Sequence, residues 1–260
     1  MSARFYVNLP LAPGPFTLDG AEARHLASAS RLRPGDVVSL FNGDGHEYPA
    51  RIVDVARREV VLDILGIATP ERELPFTLEV AAPIPKGDRA QFLIEKLTEL
   101  GVTMFVPLLC RYSNTHPRDA KREKLDRWVI EASKQCGRNV LMKIDEMIDW
   151  KVYSMRGQAG ELRVLAHPGS LASSALAGGA SDGVGKPTLA RQANRTRAGR
   201  EGAGHIPIRT AVGPEGGFSE DEVTLALEHG WQAIDLGPRI LRVETAAILL
   251  AGRFATEPET

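Results

Sequence analysis

The segment Val212-Gly213-Pro214-Glu215-Gly216-Gly217-Phe218-Ser219 decides how the second half of this 260-residue chain is interpreted. It follows the β-type run Thr210-Ala211-Val212 and leads into Ser219-x-x-Glu222, a pattern typical of a capped helix start. Glycines at a strand-to-helix turn leave backbone N–H groups bare at a sheet edge, where a ligand can approach. The turn is neither a dinucleotide fingerprint nor a Walker loop. Taken alone, it indicates only a structural connection.

A second unusual turn changes that interpretation. It reads Leu236-Gly237-Pro238-Arg239-Ile240-Leu241-Arg242-Val243-Glu244-Thr245-Ala246 and follows the next β-type run along the chain. The carboxyl ends of parallel strands meet at one edge of a sheet, and ligands bind at that edge. Two loops of this kind at successive strand ends therefore predict a pocket.

The chain after the two prolines of residues 69–75 alternates between β-type runs and helical periodicity. This alternation predicts a parallel sheet covered by helices on both faces. The runs expected to form strands are residues 78–82, 104–109, 162–166, 210–212 and 233–236. Residues 169–204 are rich in Gly, Ala and Ser and then in Arg, without an apolar period, so a flexible insertion is expected there.

The chain before residue 70 has a different pattern, of short β-type runs broken by turn residues. These runs are residues 4–7, 37–41, 50–55 and 60–65, with one helix expected at residues 21–30. Such spacing is typical of a small β-barrel. Two domains are therefore predicted, residues 1–72 and residues 73–260.

Composition restricts the class of protein. Hydrophobic residues make up 43% and charged residues 25%, as in ordinary globular proteins. No apolar run has membrane-spanning length, and the first residues lack the apolar core of a signal peptide, so a cytoplasmic location without membrane association is expected. Cys110 and Cys136 have no partners at metal-ligand spacing, so no metal is expected. The net charge of −1 means that any nucleic-acid binding must use local patches.

The two loops resemble the signature of the SPOUT-superfamily methyltransferases that modify uridine N3 in 16S rRNA of the small ribosomal subunit. Segments elsewhere in the chain agree with that family; they are Lys96-Leu97-Thr98-Glu99-Leu100-Gly101-Val102, Glu131-Ala132-Ser133-x-Gln135-Cys136-Gly137-Arg138, His25-Leu26 and Arg31-Leu32-x-x-Gly35-Asp36. The resemblance spans nearly the whole chain, in long motifs that occur in the family's order.

The resemblance implies an α/β fold, with a PUA-like β-barrel followed by a SPOUT-type parallel sheet whose C-terminal part forms a trefoil knot. It also implies S-adenosyl-L-methionine as cofactor, a homodimer as the active form, and ribosomal RNA or the small ribosomal subunit as partner. Cofactor contacts are expected from three loops and comprise Leu165, His167, Pro168, Gly213, Glu215, Gly216, Gly217, Leu236, Gly237, Arg239, Ile240, Leu241, Thr245 and Ala246.

Methylation at N3 needs help with the loss of a proton, since N3 is a poor nucleophile until it is deprotonated. Arg242 or Arg138 could stabilise the uridine anion. Glu215 is a candidate general base, as is Glu244, although either carboxylate could instead hold its loop by accepting backbone N–H bonds. Phosphate contacts are expected from basic residues of the first domain, namely Arg4, Arg24, Arg31 and Arg33.

Other functions stay open at this point. The chain could be a SPOUT methyltransferase that acts on another rRNA or tRNA nucleotide, or a non-catalytic PUA-type RNA-binding protein. A nucleotide hydrolase built on Glu220, Asp221 and Glu222 is disfavoured, because carboxylates in the first turn of a helix complement its dipole. The sequence leaves open whether naked RNA or the assembled subunit is the substrate.

Overall fold

The computed structural model describes residues 3–28, 32–56, 58–114, 121–169 and 206–256. The chain forms two compact units, one of Met1–Glu73 with Ile130–Leu141, the other of Leu74–Val129 with Met142–Thr260. Residues 130–141 thus group with the first unit, a contribution that no local sequence pattern predicts. Residues 170–204 of the expected insertion lie outside the described residues.

The first unit is built on a five-stranded sheet with one helix. Its elements are β1 Arg4–Tyr6, β2 Gly14–Leu18, α1 Gly20–Ser28, β3 Val37–Phe41, β4 Tyr48–Val55 and β5 Val60–Ile64. The strand order is β1-β3-β4-β5-β2; β1 and β3 are parallel and the remaining neighbours antiparallel.

The core of the first unit follows from alternation along the strands. In β5, Val60, Leu62 and Ile64 are buried while the residues between them are partly exposed, as a period of two requires. Leu26 of α1 packs into the same core. β2 was missing from the sequence prediction because Gly14 and Pro15 indicate a turn. It lies at the edge of the sheet, where a proline is tolerated.

The second unit contains a seven-stranded sheet in which every paired neighbour is parallel. Its elements are β6 Leu78–Ala82, α2 Asp88–Glu99, β7 Met104–Leu109, β8 Lys143–Ile144, β9 Ile148–Asp149, α4 Trp150–Met155, β10 Leu162–Ala166, β11 Ile208–Val212, α5 Glu220–Glu228, β12 Gln232–Ile234 and α6 Val243–Ala255. Helix α3, Arg122–Cys136, begins in this unit and ends in the first.

The strand order β12-β10-β11-β6-β7-β8, with β9 also on β7, places three loops side by side. Because β10 lies between β12 and β11, the carboxyl ends of all three strands meet at one edge of the sheet. An aromatic cluster of Trp150, Phe218 and Trp231 packs in the core of the same unit, with the Trp150 and Phe218 ring centroids 4.4 Å apart. The sequence pattern therefore predicted the parallel sheet but missed β8, β9 and α4.

Candidate functional site

The loops after β10, β11 and β12 border a cleft in the second unit, whose empty space, including the part open to solvent, is about 570 Å³. Its walls are residues 166–168, the turn that follows Val212, and the loop from Asp235 into the start of α6. Parallel pairing aligns Ala166 with Val212 and with Ile234, so the three chain segments leave the sheet at the same level.

Most of the predicted cofactor residues line this cleft. They are His167, Pro168, Gly213, Glu215, Gly217, Leu236, Gly237, Arg239, Ile240, Leu241 and Ala246. Five further residues line the cleft. Ala166, Pro214 and Val243 lie within the loops expected to bind the cofactor, and Val212 and Asp235 lie directly before two of those loops.

Three predicted cofactor residues do not line the cleft. Leu165 is fully buried in the core, because it alternates with the cleft residue Ala166 along β10. Thr245 is exposed on α6. A Cβ on Gly216 would lie 3.0 Å from the Cβ of Tyr112, so this glycine allows close packing of the turn against the residues after β7. The three residues therefore lie outside the cleft wall, since a loop pattern does not tell which way each residue faces.

The glycine turn has its own steric requirement. A Cβ on Gly213 would lie 2.9 Å from the backbone nitrogen of Phe218 and 3.0 Å from the carbonyl carbon of Gly217. Gly217 has φ +74°, a conformation that residues with a side chain rarely adopt. The chain therefore folds back on itself too tightly for any residue but glycine at position 213.

Asp235 fixes the loop that follows β12. Its Oδ1 accepts a hydrogen bond from the Gly237 nitrogen at 2.8 Å, and its Oδ2 accepts one from the Gly169 nitrogen at 3.2 Å. The His167 nitrogen donates to the Ile234 carbonyl oxygen at 2.9 Å. Asp235 thus ties together two of the three loops. Nδ1 of His167, a cleft residue, is buried without a hydrogen-bond partner among the described residues.

Two carboxylates converge on Arg89, in the first turn of α2. Nη1 of Arg89 lies 3.8 Å from Oε1 of Glu215 and 3.8 Å from Oε2 of Glu244. The Glu215 side chain is 51% exposed at the cleft, whereas that of Glu244 is only 7% exposed. Glu244 Oε2 accepts no hydrogen bond within the described residues, so the loop-holding role considered for Glu244 finds no support at that oxygen.

Arg138 was a candidate for stabilising the uridine anion, and the structure gives it a different role. Its side chain is 4% exposed, and it donates to Glu73 in the first unit, with Nη2 2.6 Å from Oε2. A guanidinium held in this way is a structural ion pair. Arg242 is the residue before α6 and is exposed, but it is not among the residues that line the cleft.

The basic residues expected to contact phosphate have different environments. Arg4 is 11% exposed; its guanidinium donates to Glu47 Oε2 at 2.6 Å and to Asn139 Oδ1 at 2.6 Å. Its place in this network corrects the expectation that it is a surface phosphate contact. Arg24 and Arg33 are exposed. Arg31 lies outside the described residues.

Glu222, one of the three carboxylates considered for a hydrolase, caps the start of helix α5. Glu222 is buried; its Oε2 accepts from the Ser219 nitrogen at 2.8 Å and its Oε1 from the Arg111 nitrogen at 2.8 Å. Ser219 and Glu222 form the capping box that the sequence predicts. Neither a group of His, Cys, Asp and Glu arranged to hold a metal nor a helix able to cross a membrane is found in the part of the chain that the structure describes.

Comparison with known proteins decides the family. Residues 72–255 match a family described as "RNA methyltransferase domain", and residues 18–65 match one described as "RNA methyltransferase PUA domain". The chain belongs to this RNA methyltransferase family. It is therefore an enzyme of the methyltransferase class, and the non-catalytic alternative is set aside.

Similar proteins and structures agree with this membership. A ribosomal RNA small subunit methyltransferase E of Synechocystis is 31% identical over 88% of this chain and 69% of its own length. The protein of the same name from Bacillus subtilis is 27% identical over 94% of this chain and 91% of its own. A crystal structure of the Neisseria gonorrhoeae protein of that name, bound to S-adenosyl methionine, has 29% identity and a TM-score of 0.79, and 98% of each chain is covered. The resemblance and the α/β class with a PUA-like first domain are confirmed.

Proposed function

We propose that this enzyme transfers the methyl group of S-adenosyl-L-methionine to N3 of a uridine in 16S rRNA of the small ribosomal subunit. The observation that carries the proposal is the cleft where the loops after β10, β11 and β12 meet, in a chain that belongs to an RNA methyltransferase family. The names of the similar proteins support small-subunit rRNA as the substrate.

The cleft fits this cofactor. Its lining is largely apolar, which suits the adenine ring, and it offers the backbone groups of two glycine-containing loops. The buried Nδ1 of His167 is a polar atom available to a bound ligand. Glu215 carries a carboxylate that can face the positive sulfonium. Gly213 allows the tight turn that forms one wall of the cleft.

The bound cofactor supplies an already activated methyl group. The residues of the chain then have to orient the uridine and move one proton. We assign to Glu215 the acceptance of the N3 proton, since it lines the cleft and is half exposed. Arg242, exposed beside the cleft loop, is a candidate for contact with the uridine oxygens. A uridine inside a helix is unreachable, so the target base should be unstacked or flipped.

The remaining expectations belong to the same proposal. Arg24 and Arg33 are exposed basic residues of the first unit that are available to RNA phosphates. We propose a homodimer as the active form, a trefoil knot in the C-terminal part of the chain, and a cytoplasmic location where small subunits are available. The nearest alternative is another nucleotide target, which only analysis of the modified RNA separates from uridine N3.

Calorimetry on the purified chain tests the cofactor assignment. S-adenosylmethionine and its demethylated product should both bind, and both should raise the thermal midpoint with concentration, because they bind only the folded state. Absence of binding by either compound would refute the proposed function.

Two variants separate chemistry from docking. Arg242→Ala should lower the single-turnover methylation rate at saturating RNA and leave RNA affinity nearly unchanged, as for an interaction made mainly in the transition state. Arg33→Ala should weaken RNA binding, reduce the salt dependence by about one phosphate contact, and leave the rate near normal at saturation. The reverse pattern would contradict this division between the two residues.

A further inference from the structure

Arg89 occupies a place at the sheet edge that no sequence pattern singled out. It lies in the first turn of α2, the helix that follows β6, and β6 pairs with β11, whose loop forms one wall of the cleft. The guanidinium therefore reaches the cleft residue Glu215 from a neighbouring strand end.

The two carboxylates around Arg89 are not equivalent. Glu215 is half exposed, but Glu244 is 7% exposed and carries an oxygen that accepts no hydrogen bond from the described residues. A buried ionised carboxylate is costly unless a cation compensates it. Arg89, at 3.8 Å, is placed to provide that compensation.

Both distances are longer than a hydrogen bond, so the guanidinium is held near the cleft without being saturated by either carboxylate. Substrate binding tightens many catalytic contacts of this kind. The five N–H donors of a guanidinium allow it to keep one carboxylate and still contact another acceptor.

We propose that Arg89 contacts the acceptor uridine and stabilises the negative charge on its O2 and O4, and that Glu244 is the buried residue that positions Arg89. This inference rests on the proposed function. It adds a cationic residue from α2 to a reaction for which only Arg242 and Arg138 had been considered.

The charges change in the direction that catalysis requires. Before reaction, Arg89 faces two carboxylates. When Glu215 accepts the N3 proton, its carboxylate becomes neutral and the uridine becomes an anion. The Arg89 guanidinium then pairs with the uridine anion instead of Glu215. An interaction that strengthens as the negative charge develops lowers the barrier. A contact that is equally strong in the ground state and in the transition state would not. The proton leaves Glu215 to water after methyl transfer.

The experiment measures single-turnover methylation of small ribosomal subunits from cells that lack this chain, at saturating cofactor and subunit. The variants are Arg89→Met, Arg89→Lys and the double variant Arg89→Met/Glu244→Gln, which removes both charges and so avoids an unpaired buried carboxylate. Lys96→Met is the matched control, since Lys96 is a cation on the same helix that pairs with Glu99. Calorimetry gives the cofactor affinity of each variant, and thermal unfolding shows that each is folded.

We expect Arg89→Met and the double variant to lose about 100-fold in rate, the effect of removing one preorganised donor to a developing anion. Cofactor affinity should stay within about threefold of wild type. Arg89→Lys should recover at least about tenfold, because it restores the charge, and Lys96→Met should stay within about twofold of wild type.

A folded double variant that methylates within about threefold of wild type would overturn the proposal. So would a rate loss that vanishes at higher cofactor concentration, because Arg89 would then serve cofactor binding. Wild-type chain that leaves no N3-methyluridine in the subunits would instead refute the proposed function, and this inference with it.

Discussion

At the scale of single residues, position 213 has a strict steric requirement for glycine. Its backbone neighbours leave no room for a Cβ, so Gly213→Ala must displace the turn that lines the cleft. We expect calorimetry to show a loss of cofactor affinity of at least about tenfold, about 1.4 kcal/mol.

Gly252→Ala is the control for that variant. Gly252 lies inside α6, and a Cβ there would meet nothing within 4 Å. Alanine in a helix is favoured over glycine by up to about 1 kcal/mol, so this variant should bind the cofactor normally and unfold at the same or a higher temperature. Equal cofactor affinities for Gly213→Ala and wild type would show that the turn is structural only.

The sequence located the cleft loops but not the direction of each residue in them. The glycine pattern placed the turn of residues 213–217 at the cleft, yet it could not separate Gly213, which lines the cleft, from Gly216, which faces Tyr112 instead. Arg138 shows a second limit. Its partner Glu73 is 65 residues away, so no local pattern reports the ion pair.

At the scale of elements, helix α5 was predicted from its capping box, and the structure confirms it. Glu222 does more than cap the helix, because its carboxylate also accepts a hydrogen bond from the Arg111 backbone nitrogen. Glu222→Ala should lower the free energy of unfolding by about 1–3 kcal/mol, the cost of leaving buried donors unpaired.

The neighbouring Asp221→Ala provides the control in the same turn. The Asp221 side chain is 84% exposed and pairs only loosely with Arg111, at 3.4 Å. Exposed pairs contribute at most about 1 kcal/mol, so this variant should differ little from wild type in urea unfolding. Equal losses in the free energy of unfolding for Asp221→Ala and Glu222→Ala would contradict a stabilising role of the buried capping network.

The ion-pair network of the first unit predicts a pH dependence. Partial burial raises the pKa of Glu47, but hydrogen bonds from Arg72 and Arg4 outweigh it and hold the pKa below 4.5. A carboxyl group whose pKa is lower in the folded state stabilises the fold at pH values above its unfolded-state pKa. It loses that contribution as the pH falls through its folded-state pKa.

Glu47→Gln should therefore destabilise the first unit by about 1–3 kcal/mol at pH 7, and its difference from wild type should shrink below pH 4.5. Hydrogen exchange in β3 and β4 at several pH values measures this difference. Glu59→Gln, at an exposed position of the same unit, is the control. A difference that is constant with pH would contradict the assigned role of Glu47.

The short elements escaped prediction for physical reasons. β8 and β9 contain two residues each, too few for a period to be visible. Helix α4 has six residues, and it is stabilised by tertiary burial of Trp150 and Tyr153 together with the Asp149 cap. The longer strands β6, β7 and β10 were predicted with the bounds observed, because strands buried in a parallel sheet form continuous apolar runs.

At the scale of the whole molecule, a homodimer is a prediction that follows from the family resemblance. Light scattering at micromolar concentration should give twice the mass of the 28.2 kDa chain. A monomer under those conditions would count against the proposed active form. The two-domain organisation of a small β unit before a parallel α/β unit was predictable because the hydrophobic period changes near residue 70.

The central claim is that this chain methylates N3 of a uridine in small-subunit rRNA, and mass spectrometry of that rRNA tests it most directly. RNA should be compared from cells with the chain, cells without it, and cells in which Arg89→Met replaces it. The account predicts that one N3-methyluridine disappears in the deleted cells and returns with the wild-type chain, but returns only in part with the variant. An unchanged N3-methyluridine content in the deleted cells, with loss of a different methylated nucleotide, would contradict it.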